Sequence, residues 1–282
     1  MIIWLASYPK SGNTWLRALL ASYYFTKNGD FNLNLLDKIN AFPSEKHFKN
    51  YPDKFTNPGD TSKYWIDEQK KINKNNKLIF LKTHMAVCKV NENRFTDEKN
   101  SLGGIYIVRD PRNLVTSLSH HYQISLDEAF SFMKDEKRAI YSKIGERYVG
   151  FQFLMSWKLN QKSWIENKIF PVLIIKYEEL MKQTFVTFER VIKFINKITN
   201  ENINFDKEKA KNCIENTSFK KLQDLEREKG FSEAMLKKGT TEKLKFFNLG
   251  KENNYKKLLK KNLINEMNIY FEKELEKFDY EK

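Results

Sequence analysis

Short apolar runs alternate with longer segments of helical periodicity along this chain. The runs occupy residues 2–7, 78–82, 104–108 and 172–176. Continuous apolar runs of this length are typical of strands in a parallel sheet that is covered on both faces. The pattern therefore predicts an α/β fold, in which a central parallel sheet is flanked by helices.

The segments between the runs carry apolar residues at spacings of three and four, as amphipathic helices do. These helical stripes are Trp15, Leu16, Leu19, Leu20 and Tyr23; Leu114, Val115 and Leu118; Phe185, Phe188, Ile192 and Ile195; and Leu259, Leu263, Met267, Tyr270 and Phe271. Residues 26–76 and 217–254 show neither the continuous apolar runs of strands nor the regular apolar spacing of helices. We expect these two segments to be irregular and to form walls of the substrate site.

Length and composition limit the class of protein. A chain of 282 residues can bury one large core, and no linker or repeat divides it, so we expect a single domain over 1–282. Its apolar runs are far shorter than the roughly 20 residues of a membrane span, and the first strand leaves no room for a signal peptide. Cys88 and Cys213 form neither a disulfide framework nor a metal cluster. We therefore expect a cytoplasmic protein with no metal and no membrane partner.

The net charge of +14 favours an anionic partner. The lysines are scattered along the sequence rather than gathered into one basic segment, so a small anionic ligand explains the charge better than nucleic acid does. No interface pattern is visible near the C-terminus, and the oligomeric state is left open.

A tight turn follows the first strand and leads directly into a helix. It contains Lys10, Ser11 and Gly12, and the helix begins at Asn13-Thr14. The first turn of a helix has unpaired N–H groups and a positive dipole end, and glycine lets the backbone approach a ligand closely. Such a turn suits a phosphate or sulfate group. It resembles the phosphate loop of nucleotide-binding enzymes, except that the lysine precedes the only glycine. An ordinary strand-to-helix connection is the alternative.

Two further strands end in polar residues that suit catalysis or anion binding. The second strand leads into Lys82 and His84, where a histidine is placed for general base work, although a structural histidine has the same pattern. The third leads into Arg109, followed by Asp110 as a helix N-cap and by Ser117 within the helix. Arg109 and Ser117 would bind a phosphate through hydrogen bonds, unless Arg109 forms an ion pair with Asp110 or Glu178 instead.

Taken together, the chain resembles sulfotransferases that use 3′-phosphoadenosine 5′-phosphosulfate (PAPS). Five motifs of that family occur here in the family's order, over nearly the whole chain. They are Tyr8-Pro9-Lys10-Ser11-Gly12-Asn13-Thr14-Trp15, Lys82-Thr83-His84, Arg109 with Ser117, Tyr177-Glu178-Glu179, and Thr217-Ser218-Phe219.

The resemblance implies transfer of a sulfuryl group from PAPS to a hydroxyl or amine of a small-molecule or glycan acceptor. His84 would be the general base, Lys10 would stabilise the leaving phosphate, and Lys82 would support the sulfuryl oxygens. The nucleotide would bind to Lys10, Ser11, Gly12, Asn13, Thr14, Trp15, Arg109, Ser117, Tyr177, Thr217, Phe219, Asn248, Leu249 and Gly250. The product would be adenosine 3′,5′-bisphosphate (PAP).

One family segment is altered. After the aromatic pair Phe246-Phe247, an Arg-Lys that helps to hold the 3′-phosphate is replaced by Asn248-Leu249, whereas Gly250 is retained. One charge-assisted hydrogen bond of about 1.5–3 kcal/mol is therefore missing at that position. Lys243, Lys245, Lys251 or backbone N–H groups near Gly250 are the candidates to replace it.

Two other functions fit parts of the pattern. A phosphoryl-transferring nucleotide kinase would use a related loop, but the lysine order is wrong and the Gly-Lys-Ser/Thr metal site is lacking. A nucleotide-binding protein without catalysis would explain the altered segment, but not the retention of Lys10, Lys82 and His84 together.

Overall fold

A four-stranded parallel sheet lies at the centre of the computed structural model, which describes residues 1–75, 77–201 and 204–281. The strands are β1 (Ile2–Ser7), β2 (Ile79–Thr83), β3 (Lys89–Val90), β4 (Asn93–Arg94), β5 (Ser101–Val108), β6 (Ala139–Ile144), β7 (Arg147–Phe153) and β8 (Val172–Lys176). The sheet has the order β2-β1-β5-β8, while β3 pairs with β4 and β6 with β7 as antiparallel hairpins.

Helices cover both faces of this sheet. The α-helices are α1 (Asn13–Phe25), α2 (Glu45–Phe48), α3 (Trp65–Ile72), α4 (Pro111–Tyr122), α5 (Leu126–Lys134), α6 (Trp157–Ile165), α7 (Tyr177–Lys182), α8 (Thr184–Thr199), α9 (Lys207–Asn216), α10 (Phe219–Lys229), α11 (Tyr255–Leu258), α12 (Lys261–Tyr270) and α13 (Glu272–Lys277). Short 3₁₀ turns lie at Leu33–Lys38, Asp60–Tyr64, Asn73–Asn75 and Gly250–Glu252.

Successive residues of the central strands enter two different cores, because side chains alternate between the faces of a strand. Ile3 and Leu5 of β1 pack with α1 and α8 on one face. Trp4 and Ala6 pack with α4, α6 and α12 on the other. Both faces are therefore buried, and the predicted α/β class is confirmed.

The four predicted strands correspond to the four strands of the sheet, with starts that differ by three residues at most. Strand β1 is paired with β2 on one side and with β5 on the other. The chain therefore leaves β1 first toward one edge of the sheet and later toward the opposite edge. In open α/β sheets ligands bind beside the carboxyl end of such a strand.

The expectation of irregular structure in residues 26–76 and 217–254 was wrong in part, because α3 lies in the first segment and α10 in the second. Few apolar residues mark these helices: they include Trp65 and Ile72 on α3, and Phe219, Leu222 and Leu225 set among charged residues on α10. Gln69 is a fully buried position of α3, with hydrogen bonds to Phe95 and Thr96, and Leu222 is the buried residue of α10. The β6–β7 hairpin was also missed.

No helix in the described part of the chain combines the length and the apolar character that crossing a bilayer requires.

Candidate active site

A cavity of about 930 Å³ opens at the carboxyl ends of β1, β2 and β5. The turn after β1 forms part of the lining, and residues from 218–253 form much of the rest. This agrees with the expected role of the segment 217–254. Of residues 26–75, only Ala41 lines the cavity, so that segment contributes far less than the sequence suggested.

Backbone geometry in the turn leaves N–H groups available at the cavity. Gly12 has a φ of 104° and is the N-cap of α1, without a side chain that could cap it. The N–H of Trp15 bonds to the Gly12 carbonyl, whereas the N–H groups of Asn13 and Thr14 have no carbonyl of a preceding turn. Ser11 donates its N–H to Tyr8. Of the backbone N–H groups expected to bind an anion, that of Ser11 is therefore already used, whereas those of Asn13 and Thr14 at the start of α1 are available.

Lys10 carries its ammonium at the cavity wall. Its Nζ lies 3.4 Å from the centroid of the Phe246 ring, a cation–π contact. Burial first, and the neighbouring Lys82 second, lower the pKa of Lys10 to about 7. An anion bound beside this amine would restore its proton.

His84 is fixed by its neighbours in the orientation of a base. Its Nδ1 lies 2.7 Å from the carbonyl oxygen of Ser7, which can only accept a hydrogen bond, so Nδ1 carries the proton and Nε2 has the free lone pair. The backbone N–H of His84 donates to Gln152 Oε1 at 2.8 Å, and its carbonyl accepts from Asn160 at 3.0 Å. Burial, reinforced by Lys82, lowers the pKa of His84 to about 3, so the ring is neutral at pH 7.

Lys82 lines the same cavity but is paired. Its Nζ lies 2.8 Å from Glu233 Oε2, and the other oxygen of Glu233 accepts from Arg17 of α1 at 2.5 Å. Glu233 lines the cavity as well. It lies in a turn outside any recognised motif, and the sequence analysis had no signal by which to find it.

Arg109 extends across the turn from the end of β5. Its Nη1 donates to the Lys10 carbonyl at 2.9 Å and to Ser117 Oγ at 3.2 Å. The guanidinium also stacks on Tyr177, 4.4 Å from the ring centroid. The alternative ion pair with Asp110 is not formed, because Asp110 caps α4 and pairs with Arg112 at 2.8 Å.

Ser117 has a hydroxyl that is prepared to donate. Its Oγ accepts hydrogen bonds from Arg109 and, at 2.9 Å, from Asn253 Nδ2. With both acceptor positions used, the hydroxyl hydrogen is left for an anion in the cavity. Asn253, which the sequence analysis missed, is itself held by Thr116 and by the Asn113 carbonyl.

The altered segment still approaches the site. Asn248, Leu249 and Gly250 line the cavity together with Phe219. Gly250 has a φ of 54°, and a Cβ there would lie 2.4 Å from the Phe219 ring. Of the lysines considered as replacements for the missing Arg-Lys, Lys251 is the one that lines the cavity.

Two expected binding residues lie outside the cavity lining. Thr217 is fully buried and is the C-cap residue of α9, where its hydroxyl donates to the Cys213 carbonyl at 2.8 Å. Ser11 is also fully buried.

Buried polar atoms without partners test whether the site fits a nucleotide. In the described chain, five such atoms belong to the turn, to α1 and to the end of β5. Asn13 Oδ1, Trp15 Nε1 and Arg109 Nε are on residues that line the cavity, whereas Ser11 Oγ and Arg17 Nε are on residues outside the lining. Because buried polar groups are normally hydrogen-bonded, this concentration fits a polar ligand. Potential metal ligands form no group of three or more within residues 1–75, 77–201 and 204–281.

Comparison with known proteins agrees with this geometry. The model of the sulfotransferase domain family matches residues 2–279. The chain belongs to this family. It is 26% identical to a luciferin sulfotransferase of Photinus pyralis over 273 residues, which are 92% of this chain and 68% of that protein. The transferase class expected from the sequence is thereby confirmed.

Solved structures show the same fold. A retinol dehydratase in complex with androsterone and PAP has a TM-score of 0.59 at 14% identity, over 97% of this chain and 80% of that one. A retinol dehydratase with retinol and PAP has a TM-score of 0.58 at 15% identity, over 97% and 81%. At these identities the likeness confirms the α/β sulfotransferase fold.

Proposed function

We propose that this sulfotransferase moves a sulfuryl group from PAPS to a hydroxyl of a small-molecule acceptor. The observation that carries the proposal is the occurrence of two anion-binding groups in one cavity with a neutral histidine. Lys10 and the start of α1 form the first group, and Arg109 with Ser117 forms the second. His84 lies in the wall of that cavity.

The first group would hold the 5′-phosphosulfate and the second the 3′-phosphate. Tyr177, Trp15 and Phe219 offer aromatic surfaces for the adenine. The orphaned buried atoms fit such a ligand, and the retinol dehydratases of this fold were crystallised with PAP. PAPS supplies the activated sulfuryl group and, in PAP, a stable leaving group.

The chain's own residues would act on protons and charge. His84 Nε2 would take the proton of the attacking hydroxyl, since the ring is neutral and its Nδ1–H is held by Ser7. Lys10 and the N–H groups of Asn13 and Thr14 would stabilise negative charge on the leaving phosphate. Lys82 would lie beside the transferring group.

A small hydroxylated molecule is the proposed acceptor. The cavity lining includes the apolar or aromatic side chains of Ile140, Tyr122 and Phe246, and Gln152 is a polar lining residue that accepts a hydrogen bond from the His84 N–H. The related protein named above is a luciferin sulfotransferase, and the retinol dehydratases bind retinol or androsterone. Ring-bearing alcohols and phenols are therefore the first acceptors to test.

The decisive experiment is transfer of labelled sulfate from PAPS to a panel of such acceptors and to fractionated extract of the native cell. We expect His84→Ala to lose about 10²–10⁴-fold in turnover while binding PAP as the parent does. Equal turnover by the two proteins would remove His84 from the mechanism. Absence of labelled product with every acceptor, despite PAP binding, would instead favour a binding protein without catalysis.

A further inference from the structure

Glu233 is an acidic residue in the wall of a cavity that has to bind anions. Its side chain is 27% exposed, and both carboxylate oxygens are in use. We propose that Glu233 is a positioning residue for Lys82: anchored by Arg17, its carboxylate keeps the Lys82 ammonium charged and fixed at the cavity wall. The catalytic consequence rests on the function proposed above, whereas the ion-pair relation itself does not.

Each carboxylate oxygen of Glu233 accepts a hydrogen bond from a different cationic residue. Oε1 accepts from Arg17 Nη1, and Arg17 is itself 4% exposed and held by the Leu36 carbonyl at 3.1 Å. Oε2 is thereby directed toward Lys82 Nζ at 2.8 Å. Arg17 thus fixes the carboxylate, and the carboxylate fixes the lysine. Lys82 would otherwise have a long, freely rotating side chain.

Charge explains why a lysine in this place requires a partner. The Lys82 side chain is 15% exposed, and burial lowers the pKa of its ammonium, which Glu233 opposes. Although burial works against ionisation of Glu233, Lys82 and Arg17 hold the pKa of its carboxyl well below the usual range. Glu233 is therefore a permanent anion and not a second general base.

Other charged or titratable groups around Lys82 cannot replace this effect. Within the part of the chain that the structure describes, those facing the cluster are Lys10 of the turn, Arg17 of α1, His84 after β2 and His121 of α4. All are cationic or neutral, and Glu226 of α10 acts on Lys10. Removing the Glu233 charge therefore leaves Lys82 buried among like charges or neutral rings.

The first test reads the protonation of Lys82 directly and requires no turnover. In protein labelled with ¹³C-lysine, the Lys82 Cε signal is assigned by its loss in Lys82→Met and is followed against pH. In Glu233→Gln, which keeps the shape and an acceptor oxygen, we expect the midpoint to fall by about 1–3 pH units. An unchanged midpoint would overturn the proposal.

Matched variants separate the lost charge from a general disturbance. Glu233→Asp retains the charge and should keep the midpoint closer to that of the parent than Glu233→Gln does. Glu68→Gln removes a buried carboxylate that pairs with Lys71 at 2.5 Å on α3, away from the cavity, and should leave the Lys82 midpoint unchanged. A shift in Glu68→Gln equal to that in Glu233→Gln would also contradict the proposal.

The second test asks whether Glu233 acts through Lys82. PAPS and PAP binding are measured by calorimetry at several pH values for the parent, Glu233→Gln, Lys82→Met and the double variant. We expect Glu233→Gln to weaken PAPS binding at least threefold more than PAP binding above the new Lys82 midpoint. In the Lys82→Met background that difference should vanish.

The outcomes remain distinguishable. Equal losses in both backgrounds would show that Glu233 is merely structural and would overturn its positioning role. A parent protein that binds neither PAPS nor PAP would contradict the proposed function, while the Lys82 titration would still decide whether Glu233 keeps Lys82 charged.

Discussion

Burial gives His84 and Lys10 different protonation behaviour within one cavity. It lowers the pKa of the His84 imidazole to about 3, so the ring is unprotonated throughout the physiological range. It lowers the pKa of the Lys10 ammonium to about 7, where the proton is only partly held. His84 is thus able to accept a proton before substrates arrive, as the proposed role requires, whereas the charge of Lys10 depends on an anion beside it.

This difference predicts that PAP affinity depends on pH through Lys10. A bound phosphate raises the pKa of the amine above its free value of about 7. The contribution of Lys10 to binding is therefore complete below pH 7 and is lost as the pH rises through the pKa of the complex. We expect calorimetry between pH 6 and 9 to show affinity falling up to about tenfold per pH unit above pH 7. Lys10→Arg stays charged and should abolish this dependence; a dependence that persists in that variant would exclude Lys10 as its source.

At the scale of residues, sequence reasoning found the groups that belong to local motifs. His84, Arg109 and Ser117 follow strands at spacings that indicate their chemistry, and the structure brings all three to the cavity. Glu233 and Asn253 could not be found in this way, because their importance comes from partners more than 130 residues away, as in the bond from Asn253 to Ser117.

At the scale of elements, the turn between β1 and α1 depends on the absence of one side chain. Gly12 has a φ of 104°, a conformation that costs other residues about 1–2 kcal/mol. A Cβ there would also lie 2.5 Å from Cδ2 of Tyr177. The conformation of the turn and the position of the Tyr177 ring, which we propose as part of the adenine site, therefore depend on each other.

We accordingly expect Gly12→Ala to lower the melting temperature and to weaken PAP binding at least tenfold, because Tyr177 and the first N–H groups of α1 must both move. Gly239→Ala is the matched control, with a φ of 73° and no atom within 4 Å of the added Cβ. Thermal melts and calorimetry on both variants provide the measurement. If the control loses as much PAP affinity as Gly12→Ala, the contact with Tyr177 is not the cause.

The elements that sequence patterns predicted are those with continuous or periodic apolar surfaces. The strands β1, β2, β5 and β8 belong to this group. Helices α3 and α10 were missed because their apolar residues are few: two of the buried positions of α3 are the polar Glu68 and Gln69, and the apolar residues of α10 are set among charged ones. Tertiary contacts hold those helices, such as the hydrogen bonds of Gln69 to Phe95 and Thr96 and the packing of Leu222 with Phe247, and such contacts leave no local pattern.

At the scale of the whole molecule, the net charge of +14 does not by itself identify a ligand. Many lysines form exposed pairs on helix surfaces, such as Lys70 with Asp67 and Lys211 with Glu208. Surface pairs of this kind contribute little to stability. The cations that matter for the proposed function are the few at the cavity. Specificity should therefore follow the number and position of phosphates on a ligand rather than its total charge.

Thermal stabilisation by nucleotides tests this expectation on the intact protein. A ligand at 100 times its dissociation constant stabilises the folded state by about 2.7 kcal/mol, which corresponds to a rise of roughly 5–10 °C in melting temperature for a chain of this size. We expect PAP to produce such a rise and adenosine 5′-monophosphate at the same concentration to produce a much smaller one. The two ligands differ only in the 3′-phosphate that Arg109 and Ser117 would hold.

The same measurement separates the sulfotransferase mechanism from a kinase mechanism. In Arg109→Met the rise with PAP should fall to that with adenosine 5′-monophosphate, since the guanidinium that donates to Ser117 Oγ at 3.2 Å would be gone. ATP with Mg²⁺ should stabilise the parent less than PAP does, because ATP lacks a 3′-phosphate. A larger effect of ATP with Mg²⁺ than of PAP, unchanged in Arg109→Met, would mean that the second anion-binding group does not select the ligand, and a phosphoryl-transfer function would then explain the cavity better.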